Sequence, residues 1–201
     1  MKKLGINERF FDKESKEMWY ALGVSFSKYS ASRTDDRNSW SVNSYRLLEI
    51  VQSCLEAEQK IGTPDKNGNA LFQVRNKHLQ DNLRERGLGV PKSEREFPKD
   101  CGEQYLDHFV RGFFDSNVTV STKSTGSLYT RVSYPSVQFL QELYIGLAKH
   151  AGVKPGRKIN ISVFDLNGTD VIAVHNFIYR DWDFIKEHGL YLPAKKEKFG
   201  L

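Results

Sequence analysis

Two stretches of the chain share an uncommon pattern. Trp19-Tyr20-Ala21-Leu22-Gly23-Val24-Ser25-Phe26-Ser27-Lys28-Tyr29-Ser30 and His108-Phe109-Val110-Arg111-Gly112-Phe113-Phe114-Asp115-Ser116-Asn117-Val118-Thr119 each run apolar with helical character. Each carries one interior glycine, then turns small and polar before a strand-like segment. A mid-helix glycine costs up to ~1 kcal/mol against alanine, so two at equivalent places need a packing reason. The usual one is close helix–helix approach, where Cβ atoms would collide. Gly23 and Gly112 are therefore expected to face one another.

The segments after the two stretches run parallel as well. After the first, the pattern predicts strands at 30–33 and 39–43 around a turn at 34–38, then a helix with Leu47, Leu48, Val51 and Leu55 on one stripe. After the second it predicts strands at 118–123 and 127–133 around Ser124-Thr125-Gly126, then a helix with Val137, Leu140, Leu143, Tyr144 and Leu147 on one stripe. Further strands at 70–75 and 158–164 lead to late helices at 77–86 and 169–179. The order αββαββα, met twice, is an internal repeat of roughly 90 residues. The linker is 87–101, rich in Gly, Pro and alternating charge, and it divides the chain into halves 1–95 and 96–201.

The strands separate polar from apolar positions with period two. Thr119, Ser121 and Lys123 oppose Val118 and Val120; Tyr129, Arg131 and Ser133 oppose Leu128, Thr130 and Val132. In the late strand Lys158, Asn160 and Ser162 oppose Ile159, Ile161 and Val163. In the first half Ser39, Ser41 and Asn43 oppose Trp40 and Val42, while Gln73 and Arg75 oppose Phe72 and Val74. These polar faces carry Arg, Lys, Asn, Gln, Ser, Thr and Tyr without Asp or Glu. A solvated sheet face would look polar too. This side-chain set, however, is the one that reads a major groove: bidentate Arg to guanine, Asn or Gln to adenine, hydroxyls to phosphate or either base. Arg33 and Arg37, beside and in the first turn, join the candidates.

Composition narrows the class. The 201 residues are 39% hydrophobic and 27% charged, which fits a folded protein. The formal net charge is +5 and the sequence pI about 9.1, an excess spread over both halves that is compatible with a polyanion partner without showing one. No apolar run approaches a membrane span, and Met1-Lys2-Lys3-Leu4-Gly5 leads into no secretory core, so a cytoplasmic protein is expected. Cys54 and Cys101 match no Cys-x-x-Cys spacing. His78, His108, His150, His175 and His188 form no i,i+4 pair, and Asp35-Asp36 reads as a solvated turn, so no metal site is expected from them.

The chain resembles the LAGLIDADG homing endonucleases in their single-chain, two-repeat form. The resemblance is carried by Asn7-Glu8-Arg9-Phe10-Phe11 and 18–23 in the first half, and by Phe109-Val110-Arg111-Gly112-Phe113-Phe114-Asp115 in the second. Weaker support comes from Leu83-Arg84-Glu85-Arg86-Gly87 with Pro91-Lys92-Ser93, and from 176–179 and 195–199 near the end. It implies an α+β fold of two pseudo-symmetric αββαββα halves, whose motif helices meet at glycine and whose curved antiparallel sheets form one DNA-binding saddle. In that family each motif helix ends in an acid that helps hold divalent ions between two scissile phosphates. The matching positions, five beyond each glycine, are Lys28 and Asn117. An ammonium repels Mg²⁺, and an amide oxygen is a weaker ligand than a carboxylate. Ser27 and Tyr29, and Ser116 and Val118, also replace the small residue and glycine that bracket the acid. Asp115 matches an acidic motif position but lies two residues too early. A plain structural account exists as well: Lys suits a helix C-terminus and Asn tolerates the left-handed conformation that ends helices.

The expectation is a monomeric, sequence-specific double-stranded-DNA-binding protein derived from a homing endonuclease, cleavage-inactive, without cofactor and suited to a regulatory role. Mg²⁺ would enter only if cleavage were retained. Two alternatives stay open: an endonuclease that cuts or nicks through rebuilt metal ligands, and a protein-interaction or RNA-splicing accessory module. The run Lys195-Lys196-Glu197-Lys198 either grips phosphates or frays as a charged tail.

Overall fold

Ser15 opens the first helix. Its side chain accepts from the Met18 amide, so α1 (Lys16–Lys28) starts with a capped end and with Glu17 at its positive pole. In the computed structural model, which describes residues 4–199, α1 is buried from Met18 to Ser27. Helix α4 (Leu106–Asn117) is buried from Leu106 to Ser116. The two lie against each other at the centre of the molecule, as the glycines demand. A Cβ on Gly23 would sit 2.1 Å from the Phe109 carbonyl oxygen; one on Gly112 would sit 2.0 Å from that of Tyr20. Around this contact Phe109 meets Trp19 and Phe26 edge-on, and Phe26 stacks on Phe139.

Each central helix runs straight into a sheet. Strands β1 (Tyr29–Ala31), β2 (Arg37–Val42) and β3 (Ala70–Arg75) pair antiparallel in that order, with Trp40 opposite both Tyr29 and Phe72. Strands β4 (Thr119–Thr122), β5 (Leu128–Ser133) and β6 (Val163–Asn167) form the second sheet, again antiparallel and in order. Helices α2 (Tyr45–Cys54) and α3 (Lys77–Leu83) belong to the first half. Helices α5 (Val137–His150) and α6 (Thr169–Ile178) belong to the second, and α7 (Trp182–Glu187) and α8 (Pro193–Glu197) close the described chain. The expected apolar stripes are buried, Leu47, Leu48, Val51 and Leu55 on α2 and its cap and Leu140, Leu143, Tyr144 and Leu147 on α5, except that Val137 at the start of α5 is half-buried.

The α+β fold of two helix-and-sheet halves is thus as expected, with three strands per sheet among the described residues instead of four. In the first half residues 56–69 meet β3 at a single ladder bond, Gly62 N to Leu71 O, beyond which Asp65 folds a turn by accepting from the Asn67 and Asn69 amides. In the second half Pro155 and Gly156 interrupt the approach to β6, since proline gives a ladder no donor. Helix α3 also ends earlier than its apolar period suggests. Arg84–Leu88 forms a π-helical turn in which Gly87 adopts φ +89°, a conformation that favours glycine.

Because the groups facing Gly23 and Gly112 are main chain, they cannot swing aside. Gly23→Ala and Gly112→Ala are each expected to destabilise the fold by about 1–3 kcal/mol or more. Denaturant unfolding of both variants measures this, and wild-type stability in both would refute the contact.

Candidate nucleic-acid interface

The polar faces of β2, β3, β4 and β5 are where period two puts them. Ser41, Asn43 and Arg75 are exposed and Ser39, Arg37 and Gln73 half-buried, while Asn38, Trp40, Val42, Phe72 and Val74 point into the core. Gln73 Nε2 donates to Ser39 Oγ at 2.9 Å. Asp35, in the β1–β2 turn, lies 3.4 Å from Arg37 and 3.8 Å from Arg75. Its carboxyl is held below the usual range by hydrogen bonding from Ser32, with the two guanidinium groups adding to this. Arg33 is exposed in the same turn.

In the second sheet Thr119, Lys123, Arg131 and Ser133 are exposed and Ser121 and Tyr129 half-buried. Lys123 Nζ donates to Asn167 Oδ1 at 2.6 Å, and Lys123 and Arg131 both flank the Tyr129 ring. Arg131 is fixed side-on: Nε and Nη2 donate to Asp165 Oδ1 and Oδ2 at 2.9 and 3.1 Å. This leaves its Nη1 end without a partner among the described residues.

Two expectations for the last strand are corrected. Lys158, Asn160 and Ser162 precede the strand, because β6 is Val163–Asn167. The Ile159 amide is taken by Gln141 Oε1 at 2.7 Å, and Ser162 contributes its carbonyl to Tyr134 N at 3.0 Å. Ile161 is accordingly 58% exposed instead of facing the core. Register with β5 buries Phe164 and Leu166, so Val163, Asp165 and Asn167 face outward. The sheet faces therefore do contain an acid, Asp165. Period two applied to 163–167 would have found it.

A second feature lies where α1 and α4 end. Lys28, Asn43, Ser44, Arg46, Asn117, Thr119, Lys195 and Lys198 line a cleft of about 450 Å³. Both helix ends are closed by cations from distant segments. Buried Arg95 donates from Nη1 to Phe26 O at 2.6 Å and from Nη2 to Tyr29 O at 3.3 Å, and Tyr134 Oη also donates to Phe26 O. Lys195 Nζ donates to the carbonyls of Phe114, Asp115 and Val118 at 2.7, 2.8 and 2.6 Å. These bonds satisfy orphan helix carbonyls at the negative pole. Lys195 is therefore neither a frayed tail nor a free phosphate grip. Burial pulls its ammonium down to about 8.

The donor set here does not fit a hard divalent ion. Lys28 brings an ammonium. Asn117 Oδ1 accepts from Ser27 Oγ at 3.4 Å, and its amide nitrogen donates to Ser133 O. Asp115 is 4% exposed and accepts from Tyr20 Oη at 2.8 Å, and burial pushes its carboxyl up to about 6. Mg²⁺ needs several carboxylate or water oxygens, and among the described residues no group of three His, Cys, Asp or Glu could hold a metal.

Arg111, which sequence reasoning passes over, is fully buried and donates to Leu190 O, Ile178 O and His108 Nδ1 at 2.8, 3.1 and 2.9 Å. Burial drives His108 down to about 3, so it accepts as neutral imidazole. A charge inside an apolar helical run is the signal that could have found it.

Neither a protein-family model nor a curated protein matches the sequence. The fold does match solved structures. The homing endonuclease I-WcaI bound to its DNA recognition sequence aligns with TM-score 0.58 at 8% identity, over 92% of this chain and 86% of that one. Mesophilic variants of the homing endonuclease I-DmoI align with TM-score 0.54 at 15% identity, over 81% and 95%. The N-terminal LAGLIDADG domain of DUF199/WhiA aligns with TM-score 0.51 at 11% identity, over 86% and 87%. The chain has the LAGLIDADG fold. No helix among its described residues is long and apolar enough to cross a membrane.

The buried carboxyl gives a pH signature. Asp115 titrates near 6 when folded, above its ordinary 3.8. The folded chain thus holds more protons than the unfolded chain between these values, and this group's stability contribution is lost as pH rises through about 4–6. The shift is worth about 3 kcal/mol. Asp115→Asn keeps an acceptor for Tyr20 and removes the charge. Relative to wild type it should gain up to about 3 kcal/mol between pH 4 and 7 in urea unfolding, and an equal difference at both pH values would refute the assignment.

Proposed function

We propose that this chain binds double-stranded DNA sequence-specifically and does not cleave it. The reading rests on one juxtaposition: exposed sheet faces of hydrogen-bonding and cationic side chains, on the LAGLIDADG fold, beside helix ends where ammonium and amide groups stand in place of acids. Structures with this fold include I-DmoI in complex with DNA and Mn and DNA-bound I-WcaI. The two sheets together would form a saddle on a monomer. Because the sheets differ in sequence, nothing forces the two half-sites to match, and the target is long and asymmetric. Occupying such a site without cutting it suits a regulatory use on chromosomal or mobile DNA.

Arg131 and Arg75 are the base readers in this scheme. Asp165 occupies the Nε side of Arg131, so the remaining Nη1–Nη2 edge is presented as a fixed fork, the geometry that matches guanine O6 and N7. Lys123 and Lys158 serve phosphates, with Arg33, Arg37, Ser41, Asn43, Gln73, Thr119, Ser121, Tyr129, Asn160 and Ser162 completing the surface.

The test begins with duplexes selected from a random pool. Arg131→Ala and Arg75→Ala should lose ~1–3 kcal/mol of discrimination at a few base positions. Lys123→Ala and Lys158→Ala should weaken matched and scrambled duplexes alike and lower the salt slope by about one each. Wild-type binding by all four on both duplexes would remove the interface. Selected DNA incubated with Mg²⁺ or Mn²⁺ should stay intact, and chelator-sensitive double-strand breaks would overturn the silent reading.

A further inference from the structure

We propose that the cleft between the C-terminal ends of α1 and α4 takes phosphodiester groups at the middle of the DNA site directly on its basic side chains, with no divalent ion between protein and phosphate. The proposal rests on the DNA-binding reading above and assigns a distinct role to this cleft.

The cleft gathers four cations, Lys28, Arg46, Lys195 and Lys198, of which Lys28 and Lys198 have no acidic partner among the described residues. Lys28 ends α1, is half-buried, and makes no hydrogen bond or ion pair among the described residues. Lys198 likewise has no partner there, and Arg46 reaches in from α2 with one contact, Glu49 at 3.3 Å. Lys28 and Lys198 stand close enough to Lys195 for their charges to weigh against its own. The carboxyl group in the lining, Asp115, is turned inward to Tyr20 and acts on Lys195, leaving Lys28 and Lys198 without an acidic partner. Like charges held together in a partly desolvated cleft repel one another, and an entering anion relieves that repulsion.

The walls identify the anion as part of DNA. Asn43 follows the last residue of β2 and Thr119 opens β4, and both line the cleft. Each is exposed, and neither side chain has a hydrogen-bond partner among the described residues. The cleft therefore continues both candidate reading faces, and a duplex lying across them would bring its backbone over Lys28. A phosphodiester carries one negative charge and accepts from Lys, Arg, Asn and Thr donors alike.

Binding of a selected duplex and of its scrambled counterpart is measured against salt, in EDTA and in Mg²⁺ at matched ionic strength. The proteins are wild type, Lys28→Ala, Lys198→Ala, Lys28→Glu and, as sheet control, Arg131→Ala. Lys28 and Lys198 are chosen because neither carries a contact that the fold needs, whereas Lys195 does. Wild-type affinity should agree within about twofold in EDTA and Mg²⁺. Each alanine variant should lower the salt slope by about one and weaken both duplexes by the same factor. Lys28→Glu should weaken binding further, with no rescue by Mg²⁺. Loss of wild-type binding in EDTA would overturn the proposal. So would wild-type slopes in both alanine variants while Arg131→Ala still weakens the matched duplex, an outcome that leaves the DNA reading standing. Failure of the wild type to shift any duplex at low salt would overturn both.

Discussion

The architecture depends on one contact: backbone against backbone at Gly23 and Gly112. A missing Cβ on each helix lets carbonyl oxygens of the partner stand about 2 Å from where that atom would be. Because main chain meets main chain, the separation of α1 and α4 is set by covalent geometry and not by adjustable side chains. β1 begins at Tyr29, directly after α1, and β4 at Thr119, two residues past the end of α4. Both sheets thus inherit their positions from the glycine contact. On the proposed reading, a surface that matches a regular duplex across two sheets needs such a rigid spacer.

The same two helices create an electrostatic demand at their far ends. Packed side by side with their C-termini in one region, they bring two negative poles and several orphan carbonyls together. The chain answers with residues drawn from unrelated places. Arg95 comes from the linker and Lys195 from the last described helix, and each donates to carbonyls at one helix end. Pseudo-symmetry survives here in the task each residue performs and not in the residue itself.

This explains which parts of the structure are legible in the sequence. The central helices, the glycine contact, the burial stripes of α2 and α5, and the alternation of β2, β3, β4 and β5 are local consequences of period and sterics. Strand β6 is harder to place, because Lys158–Val163 alternates as well as Val163–Asn167 does. Only pairing with β5, and the proline and glycine before it, selects the latter. Asp165 is hidden with it, although its ion pair with Arg131 changes how that arginine is presented. Lys195 is equally opaque. A lysine in a charged terminal run looks solvated until the tertiary fold lays α8 against the end of α4, and no local pattern encodes that meeting.

Carboxylates on a face proposed to meet DNA look contradictory, yet they fit a division of labour. Asp165 holds Arg131 in one orientation, and Asp35 stands between Arg37 and Arg75. Each acid subtracts from the attraction a phosphate would feel, and each lowers the conformational freedom its arginine must lose when it meets a base. The wings of the surface thereby exchange affinity for discrimination. The central cleft is built the opposite way, with Lys28, Lys198 and Arg46 beside the capped helix ends and its carboxyl turned inward. On the proposed reading, such a centre holds any duplex regardless of sequence. A helix-end cation supplied by lysine can neutralise phosphate charge, but at neutral pH an ammonium offers no bound water to ionise as a divalent ion does. On the proposed reading, replacing acid by lysine at Lys28 therefore converts a place where phosphodiesters are attacked into one where they are held.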